Sequence, residues 1–482
     1  MKRTIAASIC ILTLFLLPQS AFARSLSLGL SGSDVVELQN KLISEGFLAI
    51  GKNTGYFGPL TEEAVKKFQA AHGIQHLGIV GPQTQAALGG SIPTSSSTGG
   101  TLTGKSLTRP ATGKFEISGW VPDWRSASGT IDVLPHLSEL TSVMPFGFSV
   151  SSTGKILDHA HITEAPWPSF IASAKQAKVR VVPTVFWGDR AAIHKILSNA
   201  STRIALEDAI ANLVKENGYD GIDIDFEAKQ SKTRDYFSTF LKGLYQRLPG
   251  KWVYCTVEAR QPLIDRFSPG ATIPPDATDF ANDYREMNKY CDRVEIMAYD
   301  QGTINIRLNT ARSAPYAPVA DPAWVEDLVN LAAQDISKNK IIVGIPTYGY
   351  EYLVTPVNGS FKYDRLWAFN PAYALQIAAK LGITPHRTSA NEIGFIYDPN
   401  ALKTVAPTGS NVTFTQQSTP DSSLAQNLGS QVNTSEPFNY MTWSDTQAIA
   451  DKVGVAHKLG VRGVAIFSLG GAEDQGMWNV LK

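Results

Sequence analysis

The eight residues from Asp220 to Glu227 read DGIDIDFE, and three of the four carboxylates in this stretch occupy alternate positions. Successive side chains of a β-strand point to opposite faces, so we expect Asp223, Asp225 and Glu227 to share one face. Neighbours along that face stand about 6.6 Å apart, at a rise of roughly 3.3 Å per residue. An edge strand with a wet acidic face is one interpretation, although like charges along such a face repel one another. Asp220 has the opposite parity and is interpreted as a structural residue at the base of the strand.

The surrounding chain favours a buried strand over an edge strand. From about Lys114 onward, short β-rich runs alternate with helical stretches such as RIALEDAIANLVKEN. Eight strands with their helices predict an α/β fold, a (β/α)8 TIM barrel. The predicted strands are residues 115–121, 141–150, 179–187, 219–227, 252–259, 293–300, 341–350 and 463–469. In such a barrel the acidic row of the fourth strand points at the axis, and the C-terminal strand ends carry the chemistry.

One connection is too long for a simple barrel. More than a hundred residues separate the seventh and eighth predicted strands, and they include the helical segment AYALQIAAKLG and the strand-like pieces EIGFIYD and PFNYMTW. We interpret them as an α+β insertion at about 353–440 that walls one side of a cleft. The barrel domain with its insertion is predicted to span residues 113–482.

The N-terminus predicts export. Lys2 and Arg3 precede an apolar run, and a small-x-small cleavage site ends at Ala23. These features are typical of a secretory signal peptide, residues 1–23, because the run is short for a membrane span. An uncleaved membrane anchor is the alternative. The prediction is a secreted, periplasmic or cell-wall-associated protein with no stable membrane span after cleavage.

Composition narrows the possible partners and cofactors. Lys+Arg and Asp+Glu both number 43, which argues against nucleic acid as a partner. The eight His residues form no cluster with metal-ligand spacing, so neither a metal nor another cofactor is predicted. Cys255 and Cys291 remain after signal cleavage, and an exported protein can join such a pair in a disulfide. Two buried thiols are slightly favoured, because each cysteine lies in or next to a predicted strand.

Residues 26–90 form a separate small unit with an internal repeat. GYFGPLTEEA and GIVGPQTQAA both read G-x-x-G-P-x-T-x-x-A, and Thr61 or Thr84 is expected to cap the helix that follows. Apolar residues at helical spacing predict a three-helix bundle. The unit resembles the peptidoglycan-binding domains of many cell-wall hydrolases, which implies binding to cell-wall glycan or stem peptide; a helical spacer without a ligand is the alternative. Residues 91–112, rich in Gly, Ser and Thr, are predicted to be a flexible linker.

The barrel motifs resemble a known family. DGIDIDFE matches the D-G-x-D-x-D-x-E signature of glycoside hydrolase family 18, the chitinase-like family, and MAYD, GIPTYGY and VRGVAIFSLGGAEDQGMW resemble its sixth, seventh and eighth strands. Two positions depart from the family pattern. The third strand reads VVPTVFWG in place of Ser-x-Gly-Gly, and Phe467 stands where a Trp commonly floors the sugar pocket. These departures concern the shape of the sugar subsites more than the chemistry.

The resemblance implies a catalytic set of Glu227, Asp225, Asp223 and Tyr299. Glu227 would be the general acid, and the nucleophile would be the acetamido oxygen of the substrate itself. Asp225 would hold the acetamido N–H and stabilise the positive charge of the intermediate, while Tyr299 would donate a hydrogen bond to the acetamido oxygen. Asp223 would share a proton with Asp225, because two carboxylates so close cannot both ionise easily.

Aromatic residues near the strand ends are candidate sugar platforms. They are Trp120, Trp187 and Tyr348, and each has the alternative of an ordinary core residue. Asp300, which follows Tyr299, resembles a sugar-contacting position of the family.

Together these features predict a secreted glycosidase. It would hydrolyse β-linked N-acetylglucosamine-containing glycans, peptidoglycan or chitin-type, by substrate-assisted retaining catalysis. The N-terminal domain favours peptidoglycan and a partner in the cell wall. A carbohydrate-binding, lectin-like family member without catalysis is the alternative, and an enzyme acting on N-glycans is a weaker one.

Overall fold

The computed structural model describes residues 26, 33–49, 57–74, 78, 80, 82–88, 113–357, 359–401 and 435–481. The chain divides into two compact units, Met1–Ser106 and Leu107–Lys482. The predicted signal peptide and linker lie outside the described residues. Within the described residues, no helix is both long enough and apolar enough to cross a membrane.

The described residues of the first unit form three helices: α1 (Ser33–Ser44), α2 (Pro59–Ala71) and α3 (Pro82–Ala87). Thr61 and Thr84 do not cap them, because α2 and α3 begin two residues earlier, at prolines, and both threonines lie inside the first turn. Instead, the threonine of each repeat accepts a buried hydrogen bond from a glutamine. Gln39 Nε2 donates to Thr61 Oγ1 at 3.0 Å, and Gln69 Nε2 donates to Thr84 Oγ1 at 2.9 Å.

The second unit begins with strands and helices in alternation. The strands are β1 (Glu116–Pro122), β2 (Ser142–Val150), β3 (Ile156–Asp158), β4 (Arg180–Val181), β5 (Thr184–Trp187), β6 (Gly221–Phe226), β7 (Trp252–Glu258), β8 (Arg293–Met297) and β9 (Ile341–Pro346). The helices are α4 (Ser126–Val133), α5 (Trp167–Gln176), α6 (Arg190–Ser198), α7 (Ala200–Glu216), α8 (Arg234–Arg247), α9 (Leu263–Arg266), α10 (Tyr284–Tyr290), α11 (Ile306–Ala311) and α12 (Pro322–Ala332). Several helices start at a side-chain cap; Asp189, for example, accepts from the N–H groups of two residues in the first turn of α6.

A second, antiparallel sheet follows β9. It contains β10 (Gly349–Val357), β11 (Ser360–Phe369), β12 (His386–Arg387), β13 (Ile393–Tyr397) and β14 (Phe438–Trp443), with α13 (Pro371–Leu381) between β11 and β12. The strand order is β11-β10-β14-β13-β12. One face packs against α13, and the other shares a buried cluster with Tyr299 and with Ala317 and Val319 of the barrel loops. The inserted sheet therefore stands against the barrel next to the end of β8.

The chain then returns to the barrel through α14 (Thr446–Leu459) and β15 (Gly463–Phe467). β1 pairs in parallel with both β15 and β2, which closes the cylinder. The remaining order is β15-β9-β8-β7-β6-β5-β2, so the predicted (β/α)8 barrel with an α+β insertion between its seventh and eighth strands is confirmed. The predicted third strand is divided into β4 and β5.

Cys255 and Cys291 form a disulfide, so the slight preference for two free thiols was wrong. Cys255 lies in β7, and Cys291 stands two residues before β8, the parallel neighbour of β7. Both side chains point away from the barrel axis into the layer between strands and helices. Their Cα atoms are 6.0 Å apart, a separation that a disulfide spans without backbone movement.

Candidate active site

The acidic row of β6 faces the barrel axis. Ile222, Ile224 and Phe226 belong to the core between the strands and the helices, and the intervening acids point the other way. Asp220, with the opposite parity, accepts a hydrogen bond from the Val181 N–H at 2.8 Å at the base of the strand. The acids of β6 therefore point inward and its apolar residues outward, as the alternating sequence predicted.

Asp223 lies deepest in the row, and three side chains donate to it. Trp120 Nε1 is 3.1 Å from Oδ2, Thr184 Oγ1 is 2.8 Å from the same oxygen, and Thr256 Oγ1 is 2.8 Å from Oδ1. Burial raises the pKa of Asp223, and these three hydrogen bonds oppose the rise. A carboxylate that receives three donors is held mainly as an acceptor.

Asp225 is buried next to Asp223 but is less well satisfied. Its Oδ1 atom has no hydrogen-bond partner among the described residues. Burial raises the pKa of Asp225 well above its usual range, and the nearby charges of Glu227 and Asp223 raise it further. Both acids therefore keep a proton to a higher pH than an exposed aspartate does, and the rise in pKa is the greater at Asp225.

Glu227 follows β6 at the mouth of the barrel and is half-buried. Burial raises its pKa, the charges of Glu258 and Asp300 act in the same direction, and Lys229 opposes them. The carboxyl thus stays protonated to a higher pH than an exposed glutamate does. A protonated carboxyl at this position can give a proton to a bound ligand.

The backbone turns sharply directly after Glu227. Ala228 adopts a left-handed conformation with φ 52°, and its N–H donates to Glu258 Oε1 at 2.6 Å. Lys229 is buried, donates to the Phe226 carbonyl, and lies 3.6 Å from Glu258. These contacts hold the turn that keeps Glu227 at the end of the strand. Glu258 and Lys229 had not been identified from the sequence.

Asp225 and Glu227 line a cavity of about 340 Å³ at the C-terminal ends of the strands. We call it the inner cavity. Its other lining residues are Trp120, Phe146, Thr256, Glu258, Ala259, Met297, Tyr299, Asp300, Ile304 and Phe467. It brings together five of the residues predicted from the sequence, and Asp223 lies beneath its floor, bonded to Trp120.

Tyr299 reaches the inner cavity from the end of β8. A β-carbon on Gly344 of β9 would stand 2.8 Å from Cε1 of Tyr299, so glycine at that position leaves room for the ring. The Phe467 ring stacks on the Tyr299 ring, with centroids 5.4 Å apart and planes 15° apart. Burial raises the pKa of Tyr299 well above its usual range, and Asp225 raises it further. The phenol is therefore a neutral hydrogen-bond donor.

Asp300 connects the barrel to the inserted sheet. It has a left-handed backbone with φ 61°, and its Oδ1 atom accepts hydrogen bonds from the hydroxyls of Tyr348 and Tyr350, the latter at 2.7 Å. Tyr348 lies just before β10, and Tyr350 lies within it. The predicted platform Tyr348 is thus fixed beside Asp300, and its ring meets the Tyr299 ring nearly edge-on at 6.3 Å.

A second cavity of about 620 Å³ adjoins the inner one and shares Asp300 and Phe467 with it. We call it the outer cavity. Its other lining residues are Trp124, Arg125, Tyr348, Tyr350, Trp367, Ala368, Phe369, Asn370, Tyr373, Ser468, Gly470 and Glu473. The loop after β1 and the inserted sheet both contribute to it. The two cavities together form one groove over the barrel.

Trp187 does not join this groove. Its side chain is 2% exposed and packs edge-on against Phe226, with ring centroids 5.3 Å apart. In the β5–β6 register Trp187 stands opposite Phe226, whereas Thr184 stands opposite Asp223. Since Phe226 faces the helices, Trp187 faces them too. Trp187 is therefore an ordinary core residue, and the prediction that it is a sugar platform is not supported.

Glu295 is a further acid of the barrel interior that was not predicted from the sequence. It is fully buried on β8, it accepts from Thr256 Oγ1 at 3.4 Å, and its Oε1 atom has no partner among the described residues. Burial raises its pKa well above the usual range, and Asp223 raises it further. The signal was present, because Glu295 alternates with Met297 and Tyr299 in RVEIMAYD just as the acids alternate in β6. The described residues contain no group of three or more His, Cys, Asp or Glu arranged to hold a metal ion.

A groove over the C-terminal ends of a closed barrel, floored by carboxyls, is the arrangement of a TIM-barrel enzyme. The family model described as glycosyl hydrolases family 18 matches residues 117–472, and a model for a peptidoglycan binding domain matches residues 31–88. The first match covers more than half of the chain. The chain therefore belongs to glycosyl hydrolase family 18, a family of glycoside hydrolases, and carries an N-terminal peptidoglycan-binding domain.

Individual relatives match this chain at 30% identity or less. The uncharacterized glycosylase YvbX of Bacillus subtilis (strain 168) is 30% identical over 182 residues, which are 38% of this chain and 47% of that protein. The match thus spans about half of that relative's length. The spore cortex-lytic enzyme SleL of Bacillus megaterium QM B1551 superposes with a TM-score of 0.55 at 18% identity, over 76% of this chain and 73% of that one. A chitinase from Chromobacterium violaceum ATCC 12472 gives 0.55 at 17% identity, over 76% and 98%. At these identities the structural likeness shows the fold alone.

Proposed function

We propose that this protein is an exported glycosidase that cleaves glycans containing β-linked N-acetylglucosamine, with retention, by substrate-assisted catalysis. The observation that carries the proposal is the inner cavity. It combines a carboxyl with a raised pKa at its mouth, Glu227, with a buried acid and a neutral phenol, Asp225 and Tyr299. The carboxyl with a raised pKa at the mouth of the cavity favours catalysis over the alternative of a lectin without catalysis.

Glu227 acts as the general acid. Departure of the leaving sugar requires a proton on the glycosidic oxygen, and a carboxyl whose pKa is raised by burial can supply it near neutral pH. The bond between C1 and that oxygen then breaks, and the leaving sugar departs as an alcohol. Glu227 is left as a carboxylate, ready to accept a proton from water in the second step.

The nucleophile belongs to the substrate. The carbonyl oxygen of the 2-acetamido group bonds to C1 from the opposite face and forms an oxazolinium ion. The Tyr299 hydroxyl donates a hydrogen bond that orients this oxygen. Asp225 accepts from the acetamido N–H, which would occupy the Oδ1 atom that has no partner among the described residues. Water then attacks C1, gives its proton to Glu227, and restores the acetamide with retention at C1.

Asp223 supports the charge change at Asp225. When the positive oxazolinium forms, Asp225 is most useful as an anion, so its proton has to be shared with a neighbour. Asp223 is that neighbour, and its three donors from Trp120, Thr184 and Thr256 keep it in place in either state. Proton sharing between the two acids keeps the buried charge low before the substrate binds.

Peptidoglycan is the substrate that we propose, with the cell wall as the place of action. The support is the peptidoglycan-binding domain at residues 31–88 and a groove that extends past a single sugar into the outer cavity. Trp120 and Tyr348 remain proposed sugar contacts, Trp120 through the inner cavity and Tyr348 through the outer one. Asp300, which lines both, is a proposed contact for sugar hydroxyls.

Glu227→Gln tests the proposal directly, because glutamine keeps the shape of the side chain but cannot donate the proton. Purified protein is incubated with cell-wall sacculi and with N-acetylglucosamine oligomers, and new reducing ends are measured. We expect the variant to lose activity by about a thousandfold while it still binds the glycan. Mass spectrometry of the products identifies the bond that is cleaved.

The matched control is Glu164→Gln, the same change at an exposed carboxylate outside both cavities. It should keep full activity. If the wild-type protein is folded and releases no reducing ends from either substrate, the enzymatic proposal fails. A Glu227→Gln variant that cleaves as fast as Glu164→Gln would remove Glu227 from the role of general acid.

A further inference from the structure

The outer cavity contains a cation that the proposed reaction does not use. Arg125 follows β1, is exposed, and lines the cavity beside Trp124. Its aliphatic stem lies close to the backbone of Gly470, where a β-carbon would come within 3.4 Å of its Cγ atom. No described residue forms an ion pair with its guanidinium. Among the described residues that line the two cavities, Arg125 is also the only basic one.

The carboxylates that share the outer cavity form hydrogen bonds of their own, and neither forms an ion pair with Arg125. Asp300 accepts from the hydroxyls of Tyr348 and Tyr350. Glu473 accepts from the backbone N–H of Ala472 at 2.7 Å, and burial, aided by its neighbour Asp132, raises its pKa to about 7. Neither Asp300 nor Glu473 lies within ion-pair distance of the Arg125 guanidinium. Arg125 is therefore available to a ligand.

The walls around Arg125 suit a sugar ring. Trp124 is 62% exposed, and Trp367, from the inserted sheet, is 49% exposed. An exposed indole offers an apolar face to the C–H face of a sugar, and a guanidinium beside it can pair with an acidic group through two parallel N–H···O bonds. We propose that the outer cavity is a subsite for a sugar that carries a carboxylate, the muramic acid of peptidoglycan, with Arg125 as the group that recognises the acid.

This inference rests on the proposed function and narrows its substrate. Chitin is neutral, so a chitin chain in the outer cavity would remove water from Arg125 without giving it a counter-charge, which is unfavourable. A peptidoglycan strand offers a carboxylate from one of two sources, the lactyl group of muramic acid or its stem peptide. Both carboxylates can pair with a guanidinium in the same way, so ligands with and without the stem peptide are needed to distinguish them.

The test measures affinity, so that it does not depend on turnover. In the full-length Glu227→Gln protein we compare Arg125→Gln, which removes the charge, with Arg125→Lys, which keeps it. The control is Lys195→Gln, which removes one positive charge from an exposed position on α6 outside both cavities. Calorimetry uses three tetrasaccharides: the neutral N-acetylglucosamine tetramer, an alternating N-acetylglucosamine and muramic acid tetramer with free lactyl groups, and the same tetramer with stem peptides. The N-terminal domain is identical in all variants, so its own binding cancels in the comparison.

We expect Arg125→Gln to raise Kd for the acidic ligands by about five- to tenfold and to change Kd for the neutral tetramer by less than twofold. Arg125→Lys should recover part of the loss, and Lys195→Gln should show none. A loss with free lactyl groups identifies the lactyl carboxylate, and a loss only with stem peptides identifies the peptide.

Three results would overturn the inference: equal losses on neutral and acidic ligands, no loss on any ligand, or no binding of the acidic ligands at all. Each of them is independent of whether Glu227→Gln abolishes hydrolysis. The inference and the proposed reaction can therefore fail separately.

Discussion

The inner and outer cavities share Asp300 and Phe467 but are built in opposite ways. The inner cavity holds its key groups out of water: Asp225 is 4% exposed and Tyr299 is 7% exposed. The outer cavity holds its aromatic rings in water: Trp124 is 62% exposed and Trp367 is 49% exposed. Burial controls protonation, whereas exposed rings are free to meet a ligand. The difference separates a place where bonds are changed from a place where a chain is recognised.

After Glu227→Gln, we expect Asp225→Asn to cause the largest loss of activity, because Asp225 lies in the inner cavity. Asparagine keeps the size of the side chain but cannot become an anion beside the oxazolinium ion. We expect kcat to fall by roughly 10²–10³-fold, because one preorganised group opposite a developing charge contributes this much. The measurement is the rate of reducing-end release at saturating N-acetylglucosamine oligomer, with KM determined in parallel.

The comparison requires that this loss appear in kcat rather than in KM. A variant that keeps kcat and raises KM would show that Asp225 binds the ground state only. Asp276→Asn is a matched control, since Asp276 is exposed in the loop after α9 and lines neither cavity. It should leave both constants within about twofold.

The acidic row of the inner cavity was predictable from strand periodicity, whereas Tyr299 and Asp300 were predicted from the family resemblance. The alternation in DGIDIDFE placed Asp223 and Asp225 on one face, and a closed barrel leaves that face only the axis. The same rule would have placed Glu295 inside. Trp187 was predicted as a sugar platform only because it lies near a strand end. Thr184 shares the inward face with Asp223, and Trp187, three residues further along the same strand, therefore points outward.

The outer cavity was not predictable in the same way. Trp367 and Tyr373 come from the inserted sheet and its helix, and only the packing of that sheet against the barrel loops brings them over the β15 end. No local pattern encodes such a contact between distant segments. The disulfide is a similar case, because residues 36 apart in sequence meet only through the pairing of two neighbouring strands.

A smaller effect is expected from Trp367→Ala, which tests the outer cavity alone. Loss of an exposed aromatic platform should raise KM by about fivefold for N-acetylglucosamine tetramers and longer oligomers. The rate on a short substrate that fills only the inner cavity should stay unchanged, since Trp367 does not line that cavity. Initial rates across a series of oligomer lengths report both values.

Tyr236→Ala provides the control, because Tyr236 is 38% exposed on α8 and lines neither cavity. It should not change KM at any chain length. If Trp367→Ala lowers the rate equally on oligomers of every length, the two cavities act as one site. The separation between a catalytic inner cavity and a chain-binding outer cavity would then be wrong.

At the rim of the outer cavity, Glu473 should make the stability of the protein depend on pH. Burial raises its pKa from 4.5 to about 7, so between these values the folded state holds a proton that the unfolded state has released. The free energy of unfolding therefore falls as pH rises through this window, by about 3 kcal/mol for a shift of this size. Glu473→Gln removes the titration, and its amide can donate to Asp132 where the acid has lost its proton. We expect the thermal midpoint of Glu473→Gln to exceed that of the wild type at pH 8 and to match it at pH 4. Equal midpoints at both pH values would show that the rim of the outer cavity is as wet as its aromatic walls, and that burial controls protonation only in the inner cavity.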